Sequence, residues 1–158
     1  MQSISTLLAA CALALSASFL SPPALSADPH SHGHDAAPAK LQLNQGTKWP
    51  TDEPLRKSMA TIREAVHGAP APMHKGTAKP EAYAELGNRV EAQAGVIVKE
   101  CKLPAAADAQ LHLVVADLLA GADSMKGAKT ASAGRAGLAK VDGALRNYGK
   151  YFDHPGWK

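Results

Sequence analysis

The chain has 158 residues, with 17 basic and 14 acidic side chains, a formal net charge of +3 and only 4% aromatic residues. The charges are interspersed, without the basic block that grips a phosphate backbone, so the composition argues against nucleic acid as a partner. No run of alternating β-branched residues offers material for a sheet, and the length after loss of a leader suits one core rather than two, so the expected class is all-α in one domain.

Residues 1–27 carry no charged side chain, are apolar from Leu7 to Leu20 and end in Ala24-Leu25-Ser26-Ala27. That is the pattern of a cleaved export signal, and its apolar run is too short for a membrane span. The expectation is a periplasmic or secreted protein without stable membrane insertion. Leu8-Ala9-Ala10-Cys11 has the look of a lipidation box, but apolar sequence continues beyond Cys11, which favours simple cleavage. Cleavage leaves Cys101 as the sole cysteine and excludes an intramolecular disulfide.

Residues 28–48 read as a tail. His30, His32 and His34 stand among Pro, Ser, Gly and Ala, a composition that cannot bury enough apolar surface to fold. Each neutral imidazole offers one nitrogen to a divalent ion such as Cu(II), Ni(II) or Zn(II); the plainer alternative is a solvated tail without a ligand.

The folded part is expected over 49–158. Trp49-Pro50-Thr51-Asp52 forms an opening turn, with Thr51 or Asp52 as helix cap and Pro54 in the first turn. The first helix runs to about Val66 with Leu55, Met59, Ile62 and Val66 on one stripe. Gly68 to Lys79 is a Pro- and Gly-containing loop with His67, Met73 and His74. The second helix starts near Glu81 and places Tyr83, Leu86, Val90, Ala94, Ile97 and Cys101 on one side. Cys101-Lys102-Leu103-Pro104 is a tight corner. Beyond it Leu111, Val115, Leu118, Ala122 and Met125 share the face of a third helix that ends at Gly127 to Thr130.

A fourth helix, from about Ser132 to Phe152, carries Leu138, Val141, Leu145 and Phe152. Gly134, Gly137, Gly143 and Gly149 interrupt it, each costing about 1 kcal/mol against alanine in an exposed interior, so tertiary contacts must override them. Gly149 leaves room on the apolar stripe. The short corner forces its two arms antiparallel, and the predicted architecture is an antiparallel up-down-up-down four-helix bundle. Trp49 and Trp157 are expected to cap its core.

In such a bundle the start of the first helix, the corner and the end of the fourth lie together. Met59 and His112 each sit about eight residues in, roughly 12 Å below that end. Cys101, Tyr148, Tyr151, His154 and Trp157 are nearer it, with His67 and His74 at the other pole. A site of Met59 and His112, with Cys101 as a third donor, combines thioether, imidazole and thiolate, a set suited to copper. Each residue also has a structural explanation: Met59 and Cys101 on apolar stripes as ordinary hydrophobes, His112 as a boundary histidine bonded to Asp108.

Leu55-Arg56-Lys57-Ser58-Met59-Ala60-Thr61-Ile62 resembles the first helix of the cytochrome b562 family, exported four-helix bundles that hold haem between a Met and a His. Met59 matches the axial methionine, and Arg146-Asn147-Tyr148 with Lys150-Tyr151 is similar to the family's closing segment. The resemblance implies the bundle. It implies haem only where both ligands stand, and here Gly149 is close to the place of the histidine, with His154 beyond the expected helix end, which argues against b-type haem. His112 is the one substitute the third helix offers. Covalent haem is excluded, because no Cys-x-x-Cys-His occurs.

The leading expectation is a non-enzymatic periplasmic binding protein for a metal ion of the copper type. The alternatives are a b-type haem electron carrier and a ligand-free bundle that contacts another envelope protein. No nucleophile–base motif, His-Glu-x-x-His or phosphate-binding loop supports an enzyme.

Overall fold

Asp52 starts the folded body by accepting the backbone N–H of Leu55 on Oδ1 at 3.0 Å. From this cap, with Pro54 in the first turn, α1 runs Glu53–His67 in a computed structural model that describes residues 40–157. The expected export signal and His30, His32 and His34 lie outside the described residues. After α1 come α2 (Ala71–Lys75), α3 (Pro80–Glu100), α4 (Ala105–Lys126) and α5 (Ala131–Tyr151). The protein is all-α: among the described residues there is no strand, only isolated bridges between Asn44 and Thr47 and between Trp49 and Phe152.

The predicted stripes form the core. Leu55, Met59, Ile62 and Val66 of α1 are buried with Tyr83, Leu86, Val90, Ala94 and Ile97 of α3. Of the α3 stripe only Cys101 is left partly exposed, where the helix gives way to the corner. α4 packs on both α3 and α5 and is therefore covered on more than one side: Ala107, Val114 and Gly121 are buried beyond the expected stripe. By length and composition alone α4 is apolar enough to cross a membrane. Its two helical neighbours account for that composition without one.

The glycines of α5 gain their justification here. A Cβ on Gly137 would stand 2.8 Å from the Met125 nitrogen and 2.9 Å from the Gly121 carbonyl oxygen, and one on Gly121 would stand 3.0 Å from the Val141 nitrogen. The two helix backbones touch at this crossing, and any side chain would hold them apart. Gly134 makes room in the same way for the ring of Tyr83.

Two segments differ from the sequence reading. Within the loop after Gly68 a short helix, α2, carries Met73 into the core and ends at Gly76 in the left-handed region, φ 74°. The buried Tyr83 hydroxyl donates to the Met73 carbonyl at 2.8 Å, which gives that phenol its partner and holds the loop down. The tail boundary also moves. Leu41 packs against the core, the Gln42 N–H donates to Gln110 Oε1 at 2.7 Å, and Trp49 Nε1 donates to the Gln42 carbonyl at 2.6 Å. The packed chain begins by Leu41 rather than at Trp49, through contacts with α4 and Trp49 that no local periodicity announces.

Candidate functional site

Met59 is fully enclosed, without exposed surface, among the apolar side chains of the core. His112 is on the solvent edge of α4, its side chain 66% exposed, with Nδ1 2.9 Å from the Asp108 carbonyl oxygen and 3.4 Å from Asp108 Oδ2. Cys101 and His112 do meet: they share a groove of about 30 Å³ with Ile97, Val98, Asp108, Leu111 and Val115. Met59 does not line it. The expected pole of Met59, His112 and Cys101 is thus brought together only in its Cys101–His112 half. The reason is rotational: α1 packs on α3 and α5 and turns Met59 inward, and the edge of α4 that carries His112 turns outward.

The thiol of Cys101 is not poised as a ligand. Burial, then the nearby Asp52 carboxylate and the hydrogen bond to it, push its pKa up to about 12. A neutral thiol must shed its proton before it binds a metal. Among the described residues no group of three or more His, Cys, Asp and Glu side chains is placed to hold a metal ion.

Asp52 is the polar hub of this end. Oδ1 caps α1, while Oδ2 accepts the Lys102 N–H at 2.7 Å and ties the α3–α4 corner to the start of α1. Burial opposes its ionisation, but the bonds from Lys102, Leu55 and the Cys101 thiol outweigh that cost and lower its pKa.

A second cluster forms where the chain leaves α5. Phe152 closes a short ladder with Trp49: the Trp49 N–H donates to the Tyr151 carbonyl at 2.8 Å and the Asp153 N–H to the Trp49 carbonyl at 2.8 Å. The chain then reverses at Pro155-Gly156, with Gly156 at φ 79° and the Trp157 N–H donating to the His154 carbonyl at 3.0 Å. The buried Tyr148 ring meets Trp157 edge-on at 4.8 Å, and its hydroxyl lies 3.0 Å from His154 Nδ1. Burial first, then Arg56 and Arg63, lower the His154 pKa.

This return strap overturns part of the two-pole picture. His154 and Trp157 were expected at the opposite pole from His67, yet all three line one depression of about 620 Å³ with Ala60, Arg63, Glu64, Gly68 and Gly156. The strap runs back beside α5, and the indole of Trp157 occupies the space over Gly149, where a Cβ would collide with it. The room foreseen at Gly149 is therefore filled from within the chain.

On the other side of Trp157 a cavity of about 280 Å³ is lined by Arg63, His67, Asp142, Leu145, Arg146, Gly149 and Trp157. Arg63 lies over the indole, 4.8 Å from the ring centroid. Asp142 is bonded to Arg146 and lies 3.5 Å from His67 Nε2. The sequence reading passed over Asp52 as more than a possible cap, named Arg146 only within the closing segment of the family resemblance, and missed Arg63 altogether. The signal for Arg63 was available: Arg56, Arg63 and His67 recur at steps of seven and four along one side of α1.

No protein-family model, curated protein or solved structure matches this chain.

Proposed function

We propose that the protein is a non-enzymatic exported binding protein that captures a divalent metal ion of the copper type through His30, His32 and His34, displayed ahead of an antiparallel up-down-up-down four-helix bundle. The observation that carries this reading is the His-x-His-x-His spacing itself, three imidazoles on a segment too polar and too poor in apolar residues to bury them. The other sequence-named donors are engaged elsewhere: Met59 in the core and Cys101 as a neutral thiol bonded to Asp52.

Residue pairings support the bundle. Gly87 adjoins Ala122 and Met125, whereas Ile97 and Cys101 share a groove with Leu111 and His112; Gly121 adjoins Gly137 and Val141. The first pairing joins an early part of α3 to a late part of α4, and the other two join a late part of one helix to an early part of the next, as antiparallel neighbours with short connections do. This is the architecture that the resemblance to cytochrome b562 implies.

The test is equilibrium dialysis of the mature protein against Cu(II) and Zn(II), with metal counted per chain. Stoichiometric Cu(II) uptake is expected in the native protein and in Met59→Leu, and its loss when His30, His32 and His34 are replaced by alanine. No stoichiometric uptake, or uptake that survives the triple replacement, overturns the proposal.

A further inference from the structure

The groove between α1 and α5 holds a second candidate site that owes nothing to the histidine segment. α1 packs principally on α3 and only lightly on α5, and the opening that results is filled at one point by Trp157, with a cavity on each side of it. Arg63, His67 and Trp157 line both cavities.

Arg63 is the group without a structural occupation. It is half-buried, and among the described residues it makes no ion pair or side-chain hydrogen bond. Its one contact of note is the face of Trp157, a cation–π contact at 4.8 Å from the ring centroid that leaves its N–H groups without a protein partner among the described residues. Across the smaller cavity Arg146 supplies a second guanidinium from α5, with Asp142 bonded to it and near His67. Counting one negative charge at Asp142 against the two arginines leaves this cavity net positive before any charge on His67 is counted. Leu145, Gly149 and the indole make the rest of the smaller cavity apolar.

We propose that this cavity binds a small organic carboxylate with a planar apolar body, its carboxylate taken by the guanidinium edge of Arg63 and its body set against Leu145, Gly149 and Trp157. A guanidinium fork matches a carboxylate in two parallel hydrogen bonds, and a partly desolvated site strengthens them. The volume, about 280 Å³, is just below the range of ligand pockets for drug-sized molecules and suits a single-ring compound. Glu64 lines the larger of these two cavities and not the smaller, so it disfavours anions in the former and directs them to the latter.

The experiment is a two-dimensional NMR titration of the full mature chain, which has two indole N–H signals, Trp49 and Trp157, assigned with Trp49→Phe. The probes are benzoate, its neutral isostere benzamide, and inorganic phosphate. Benzoate is expected to move the Trp157 signal saturably and leave Trp49 in place. Benzamide and phosphate should bind at least about tenfold more weakly, as should benzoate to Arg63→Gln and Arg63→Lys, because the fork is lost in both. An undisturbed Trp49 signal shows that a variant is folded; should Arg63→Gln not fold, Arg146→Gln carries the same expectation of weaker binding. The proposal is overturned by no saturable shift, by equal binding of benzamide, by unaltered binding to the folded variants, or by phosphate binding as tightly as benzoate, which would mark a bare anion site.

Discussion

Removing the Asp52 carboxylate tests whether one side chain ties the start of α1 to the α3–α4 corner. Asp52→Ala deletes the acceptor for Leu55, worth about 1 kcal/mol for a helix cap. It also deletes the charged acceptor for the Lys102 N–H, which would be worth about 1.5–3 kcal/mol if buried and is discounted here for partial exposure. The expected loss is about 2 kcal/mol, or about 8 °C in Tm for a domain of this size. Asp52→Asn keeps an acceptor for the cap but no charge for the corner, and should lose about half as much.

The pH dependence follows from the sign of the shift. The folded-state pKa of Asp52 lies below its ordinary 3.8, so its contribution is present above that value and is lost as pH falls through the folded pKa. The Tm difference between wild type and Asp52→Ala should therefore be constant from about pH 7 to 5 and shrink below about pH 4. The thiol gives a second readout. Asp52 is among the causes that push Cys101 up to about 12, so its removal should speed the reaction of Cys101 with a disulfide reagent at pH 8, measured well below Tm. A cost under about 0.5 kcal/mol by thermal denaturation, together with an unchanged thiol rate, would falsify the role of Asp52 as a tie between elements.

Two glycines should respond in opposite directions. Gly137→Ala places a methyl group against the backbone of α4 and should destabilise by about 2 kcal/mol or more despite better helix propensity, whereas Gly95→Ala, on an exposed face with nothing within 4 Å, should stabilise by up to about 1 kcal/mol. Denaturant midpoints distinguish them, and equal shifts would contradict the close crossing of α4 and α5. The His154 pKa is lowered on folding, so the folded state binds fewer protons and stability must fall as pH drops below 6.5. In His154→Gln that slope should flatten between about pH 6.5 and 5, followed by Tm; an unchanged slope would place the titrating group elsewhere. Gly149→Ala should expel Trp157 from its seat, seen as a red-shifted, more quenchable indole emission in a Trp49→Phe background; unaltered emission would mean that the strap holds its place by other contacts.

Helix identity and the inward stripes were legible in the sequence, because a 3.6-residue period, a cap at Asp52 and breakers at Gly68, Pro104 and Gly127 are local signals that do not depend on what covers the helix. The same period misled at the site. A helical wheel gives position along a helix and an approximate face, yet which helices are neighbours decides whether two faces meet. In this fold α1 meets α3 and α5, so Met59 goes into the core and His112 into solvent.

Sequence alone therefore determined the all-α class, the long helices and their apolar sides, since these follow from backbone propensity and periodic burial. Tertiary structure decided everything that needs two distant segments to approach: the backbone contact at Gly121 and Gly137, the tie from Asp52 to Lys102, the packing of Leu41, and the reversal that sets Trp157 on Gly149 beneath Arg63. Such approaches depend on crossing geometry and on space left by absent side chains, and neither leaves a periodic trace in the chain.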